Sequence, residues 1–404
     1  MPGIMPLDDV RVIDLTWHTA GPFGTRVLSD YGADVIKVER PVTGDPARLL
    51  PPFFNDTPDI EGSGLFLMLN TNKRSITLNL ATPRGRELLL DLVRGAHILV
   101  ENFSPGAMGR LGLGYETLAA ANPSLVVTSI SNFGQTGPYR DWEGTDLTLL
   151  SMGNMSGFGA AGYEPVKTAG HHASMHAGYV AALASAVGLY AAEARGRGEH
   201  LDISIQETLT HSIDMRLGRV MGFQFNGRMA GRPELASAVG SGTYPCKDGY
   251  FTMTAGPAFL PRTLAMIDRQ DLMQQPEWST LEGLSQPERI DELNSILFPW
   301  ILDRTKQEIR MECERFGVLG GPLNTIEDLV NDPNFQARGF FQEIEHPTTG
   351  AIRYPGYQFK LHREGEPIPP RQRAPLLGEH TDAVLEELGV DAAERQALRL
   401  NGVI

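Results

Sequence analysis

The chain has little sulfur chemistry to offer: its 404 residues include two cysteines, Cys246 and Cys313. Two thiols exclude a disulfide framework and a cysteine-rich zinc cluster, and they suit a reducing compartment where each is a buried small hydrophobe. Basic residues are the scarcer charge, 35 Lys+Arg against 49 Asp+Glu for a formal net charge of −14, which excludes a general nucleic-acid binder. No uninterrupted apolar run reaches the ~18 residues of a membrane span. GYVAALASAVGLYAAEA comes nearest, and it is rich in small residues and soon charged. The opening MPGIMPLDDVRVIDLT lacks the basic-then-apolar order of a secretion signal. The expectation is a soluble, cytoplasmic protein with no membrane and no nucleic-acid partner.

What remains is ordinary globular composition, 41% apolar and 21% charged, in a chain long enough for two or three structural units. Short apolar runs alternate with helical patterns. VRVIDL (10–15), DVIKVE (34–39), ITLNL (76–80), HILVENF (97–103) and LVVTSISNF (125–133) read as strands. TAGPFGTRVLSDYGA (19–33), TPRGRELLLDLVRGA (82–96) and YETLAAANP (115–123) read as helices between them, and HLDISIQETL (200–209) begins as one more strand. Such alternation implies an open parallel α/β sheet with right-handed crossovers, whose ligands bind at the C-terminal strand ends. A long helix over 174–195 closes on RGRGEH. Glycine and polar residues over 222–245 mark entry into a smaller α+β unit running to about 325, and residues 326–404 form a linker and a C-terminal return.

Several strings, in order along nearly the whole chain, resemble the class III CoA-transferases, the group of formyl-CoA transferase, carnitine CoA-transferases and alpha-methylacyl-CoA racemase. They are PLDDVRVIDLTWHTAGPFGTRVLSDYGADVIKVERP, the block NTNKRSITLNLATPRGRELLLDLVRGAHILVENFSPGAMGRLGLGYETL, and the tail elements NDPNFQARGFF, APLLGEHT and GVI. The resemblance implies a Rossmann-like large domain in which residues 340–404 return to 1–221, a small α+β domain over 222–325, and two chains threaded as interlocked rings. It also implies an acyl-CoA and a carboxylic acid as substrates, with coenzyme A a thioester substrate rather than a resident cofactor, and no metal.

By the match of VERP, NKRS and ENFSPGAMGR, the resemblance implies that Arg40, Lys73, Asn102, Phe103 and Arg110 hold the adenine and phosphates of CoA. Phosphates call for guanidinium or ammonium groups and adenine for a planar apolar surface. Taken singly, each basic residue is equally a solvated surface charge.

Transferases of this family work through an aspartate that forms first an acyl anhydride and then a thioester with CoA. That aspartate stands nine residues after a proline and four before a glycine. Pro165 and Gly178 supply the frame here, and the residue within it is Ser174; no Asp or Glu lies between Glu164 and Glu193. A hydroxyl has no carbonyl on which to carry CoA, so an enzyme–CoA thioester cannot form at Ser174. In the racemase branch the proton-transfer His-Asp motif resembles TDLTLLSMG, where Thr145 replaces the histidine and Asp146 remains. The expectation is therefore a CoA-transferase subunit that relies on a homologous, Asp-bearing chain, as a homo- or heterodimer similar to heteromeric members such as benzylsuccinate CoA-transferase. The alternative is an isomerase, lyase or hydrolase acting on CoA esters through Ser174 and one of His171, His172 or His176. Those histidines are otherwise polar packing at a helix start, and HxxxH without a carboxylate is a poor zinc signature. Small residues in GNMSGFGAAG (153–162) suggest room for a bulky acyl group, and SAVGSGTYPCKDG (237–249), with Gly240 and Gly242, stands where formyl-CoA transferase has a mobile glycine loop. Ser131 and Asn132 occupy a place where some members carry lysine.

Overall fold

The computed structural model describes residues 5–153, 163–211, 215–228, 240–254, 256–284, 286–361 and 369–404. Contacts divide the chain into two compact units: Met1–Met155, Lys167–Gly227 and Gly339–Ile404 in one, and Ser156–Val166 with Arg228–Arg338 in the other. The helix Met215–Asn226 thus stays with the first unit, and the segment after residue 325 stays with the second as far as Arg338.

The first unit is built on β1 (Arg11–Asp14), β2 (Asp34–Glu39), β3 (Lys73–Thr77), β4 (Ile98–Glu101), β5 (Val126–Ser131) and β6 (His200–Ser204), all parallel, in the spatial order β3-β2-β1-β4-β5-β6. The apolar runs are continuous because both faces of the sheet are covered. Val12, Val35, Ile98 and Val126 pack under α1 (Ala20–Asp30) and a long helix near the middle of the chain. Their neighbours Ile13, Ile36, Ile76, Leu99 and Val127 meet Leu88, Leu89 and Leu92 of α2 (Pro83–Arg94), and also Val384, Leu385 and Leu398 from the C-terminal segment. That segment is stitched to β3: Ser75 O accepts from His380 N at 2.8 Å, and Thr77 N donates to Thr381 Oγ1 at 3.0 Å. The strand expected at 76–80 starts earlier, at Lys73, since Lys73–Thr77 pairs in register with Val35–Glu39.

The two helices most relevant to function are α3 (Asp146–Met152) and α4 (His172–Arg195). Thr145 caps α3, its hydroxyl accepting from Thr148 N in a reciprocal box. α4 ends on Gly196 at φ +69 and is long and apolar enough, by length and composition, to cross a bilayer. Here its small residues Ala173, Ala177, Gly178 and Ala181 are buried. A Cβ on Gly178 would lie 2.5 Å from Ala20 O, and one on Gly24 would lie 2.8 Å from Gly178 O, so the backbones of α1 and α4 touch. The opposite side of α4 leaves Tyr179, Leu183, Val187 and Tyr190 exposed, Tyr190 at 75%.

The second unit carries the antiparallel sheet β7 (Ser241–Cys246), β8 (Gly249–Thr254) and β9 (Leu319–Pro322). Phe251 and Met253 pack with Trp278, Leu293, Leu297 and Ile309 from its helices. Cys246 and Cys313 are both free and buried, and burial pushes the Cys313 thiol up to about 11. An antiparallel hairpin, β10 (Phe341–His346) and β11 (Gly350–Pro355), opens the C-terminal return.

Candidate functional site

Strand order reverses between β1 and β4, the place where open parallel sheets leave a crevice at their C-terminal edge. The residues leaving the two strands there are clamped together. Trp17 N donates to Asn102 Oδ1 and Asn102 Nδ2 donates to Trp17 O, each at 2.8 Å, so one side-chain amide reads a backbone as a strand neighbour would. His18, at φ 62, gives its N–H to Asp45 Oδ1 at 3.0 Å. Asp45 is itself fixed by the fully buried ammonium of Lys37 at 2.8 Å. Burial alone would lower the Lys37 pKa, but the carboxylates of Asp45 and Asp14 reverse that and hold it above the ordinary range.

Above this base lies a cleft of about 930 Å³. Arg40, just past β2, places its guanidinium 3.8 Å from the centre of the Trp17 ring. Phe103 meets the same ring edge-on, centroids 4.9 Å apart at 81°. Arg110 closes the far wall from the end of the short helix Ala107–Arg110. Cation, indole and phenyl thus form one polarised surface beside a groove. Four of the five residues named from the sequence, Arg40, Asn102, Phe103 and Arg110, are brought together here.

Lys73 is not among them. Its ammonium lies buried beneath α1, 2.8 Å from Thr25 Oγ1, 2.9 Å from Asn70 Oδ1 and Pro22 O, and 3.0 Å from Asp14 Oδ2. An ammonium has three protons, and four internal acceptors leave none for a phosphate. Asp14 is the counter-charge: burial would raise its pKa, but Lys73 and then Lys37 outweigh burial and hold it well below the usual carboxylate range.

Beyond Asn102 and Phe103 a second, smaller hollow of about 270 Å³ is lined by Arg110, Ser131, Asn132, Trp142 and a residue the sequence reading missed, Arg140. Gly106 sits at φ +77 between the two arginines; its missing Cβ would lie 3.0 Å from Arg140 Nη2 and 3.3 Å from Arg110 Nη1. GPYRDW carries no periodic signal, so only the tertiary position of that glycine marks Arg140.

Ser174 is the third residue of α4. Its N–H donates to Asp146 Oδ1 at 3.0 Å and its hydroxyl to the same oxygen at 3.3 Å. The other oxygen, Asp146 Oδ2, is buried and has no hydrogen-bond partner among the described residues; Lys167 Nζ stands 3.5 Å away. Among the described residues no histidine is paired with Ser174: His176 Nε2 bonds Thr208 O at 3.1 Å, while His171 and His172 are exposed. Residues 154–162 and 237–239 lie outside the described residues. Of the glycines expected in a mobile loop, Gly240 makes a turn at φ 72 and Gly242 is part of β7.

Residues 7–381 match the family described as CoA-transferase family III. A formyl-CoA:oxalate CoA-transferase of Rhodopseudomonas palustris (strain BisA53) is 32% identical over 403 residues, covering 95% of this chain and 93% of the relative. A succinate–glutarate CoA-transferase of Agrobacterium fabrum is also 32% identical, covering 97% of each. The crystal structure of a CAIB/BAIF family protein from Brucella suis superposes with a TM-score of 0.82 at 29% identity, over 95% of this chain and 99% of that one. From sequence and architecture together, this chain belongs to CoA-transferase family III.

Proposed function

We propose that the Trp17–Arg40–Phe103 cleft receives the CoA portion of an acyl-CoA, and that this enzyme passes its CoA to a small carboxylic acid. Enzymes of this family move CoA between acyl-CoA thioesters and acids. The observation that carries the assignment is the convergence of Arg40, Asn102, Phe103 and Arg110 on one cleft at the sheet's switch point. Arg40 and Arg110 are the phosphate ligands, the Trp17 and Phe103 rings supply the planar surface for adenine, and Asn102 keeps Trp17 in place. Lys73 acts from below as a strut. The two curated relatives carry the names of formyl-CoA, oxalate, succinate and glutarate, and a small acid is accordingly the acceptor class here.

Ser174 takes no covalent part, since a hydroxyl cannot carry CoA as a thioester. An acid must then come from another place, and an Asp-bearing related chain in an interlocked dimer is one source of it. The exposed apolar stripe Tyr179, Leu183, Val187 and Tyr190 on α4 supports an assembled state, because a row of that kind is covered in stable proteins. Calorimetric titration of CoA tests the cleft: binding that is lost in a combined Arg40→Ala, Arg110→Ala variant supports it, and unchanged binding refutes it. Affinity purification of the native protein tests the partner. A hydrolase or isomerase working through a serine–histidine pair has no support in the geometry around Ser174.

A further inference from the structure

The carboxylate missing at residue 174 has a neighbour that reaches the same spot from another helix. We propose that Asp146 is the acyl- and CoA-accepting carboxylate of this chain, supplied in cis, with Ser174 converted from nucleophile to hydrogen-bond donor. The inference rests on the cleft being the CoA site.

Three observations converge. First, both donors of Ser174, its N–H and its hydroxyl, converge on Asp146 Oδ1, although the residues are 28 apart in sequence. Second, Oδ2 is buried yet unbonded among the described residues, with Lys167 at 3.5 Å to hold the negative charge in place. A buried carboxylate oxygen held by one ammonium at long range and by no hydrogen bond keeps its lone pairs uncommitted. Third, Asp146 follows shortly after residues 140–143, which wall the hollow beside the cleft; Asn132 Nδ2, just past β5, holds the intervening chain through Gly144 O at 3.4 Å.

The chemistry balances without a further reactant. Oδ2 attacks the thioester carbonyl carbon; the C–S bond breaks, CoA leaves as thiolate, and a mixed anhydride remains on Asp146. The thiolate attacks Asp146 Cγ, the Cγ–O bond of the anhydride breaks, and the donor acid leaves as carboxylate. The acceptor carboxylate then attacks the resulting Asp146–CoA thioester, and the same two exchanges in reverse order return free Asp146 and the new acyl-CoA. Each attack on Cγ builds negative charge on Oδ1, where the Ser174 N–H and hydroxyl already point, so the pair acts as an oxyanion hole. A serine, rather than an alanine, at 174 then has a function.

The test is mass spectrometry of the purified full chain, free of any related subunit, after exposure to succinyl-CoA, formyl-CoA or acetyl-CoA, with borohydride used to reduce any thioester. The expected result is a CoA adduct that peptide mapping places on Asp146, with borohydride converting that residue to homoserine. Asp146→Asn loses the adduct while still binding desulfo-CoA, and Ser174→Ala forms it at least tenfold more slowly, at the same residue. An adduct on Ser174, an adduct that survives in Asp146→Asn, or no adduct from all three donors while desulfo-CoA binds would overturn the proposal and leave the acid to a partner chain. Failure of the unmodified chain to bind desulfo-CoA would remove the cleft assignment as well, so the two failures are told apart.

Discussion

Replacing Lys73 by methionine separates a strut from a ligand. The substitution keeps most of the stem's volume and deletes one charge from a buried network. Asp14 is fully buried, and its Oδ2 keeps Thr25 Oγ1 at 2.7 Å while losing the ammonium at 3.0 Å. Stranding one member of a buried ion pair costs about 3–5 kcal/mol. Lys37 also faces Asp14, which places the expected loss near the lower end, about 3 kcal/mol. For a unit of this size that is a fall in melting temperature of roughly 5 °C. The pH dependence carries a sign. Asp14 has a depressed folded pKa, so its contribution is present above the ordinary carboxylate value and is lost as pH falls. The stability gap between the native protein and Lys73→Met should therefore narrow in acid. Thermal unfolding across pH, with CoA titration alongside, reads all of this. Unaltered melting with CoA bound about tenfold more weakly would mean that Lys73 touches the ligand, and the strut argument would be wrong.

Arg40→Ala should weaken CoA binding about five- to thirtyfold, equivalent to about 1–2 kcal/mol, with no change in melting temperature because the side chain is exposed; calorimetry and a thermal scan check both halves. Gly178→Val should destabilise by at least about 1–3 kcal/mol, since a Cβ there would stand 2.5 Å from Ala20 O and 3.0 Å from Phe23 Cδ1, and urea unfolding would show it. The Arg373 guanidinium beside Glu379 holds its carboxyl down to about 2. Glu379→Gln should cost no more than about 1 kcal/mol near pH 7 for so solvent-screened a pair, and the difference should vanish as pH is lowered from the ordinary carboxylate range toward 2.

The sheet was legible in the sequence because buried parallel strands announce themselves as apolar runs: DVIKVE is β2 residue for residue, and HILVENF and LVVTSISNF contain β4 and β5. Cleft residues at strand ends were legible for the same reason, since a run's last residue fixes where its successor points. Lys73 defeated that logic. It opens β3 rather than ending a strand, and its long stem carries the ammonium inward to Asp14, 59 residues away. Arg140 was beyond reach because only a left-handed glycine beside it marks it, and Asp146, visible in the sequence as the surviving half of a racemase-like motif, meets Ser174 only through the first turn of α4. Thr145, read as a lost histidine, is a helix cap, which local spacing alone explains.

Backbone against backbone at Gly24 and Gly178 leaves no side-chain cushion between α1 and α4. The Trp17 loop runs straight into α1, and Ser174 lies one turn before Gly178, so the proposed CoA cleft and the Ser174–Asp146 pair share a single stiff mount. Under the proposed assignment, the nucleotide end of a ligand and its thioester would be aligned before anything binds. Redesign for new acyl groups should leave that glycine contact alone and work on the walls around it.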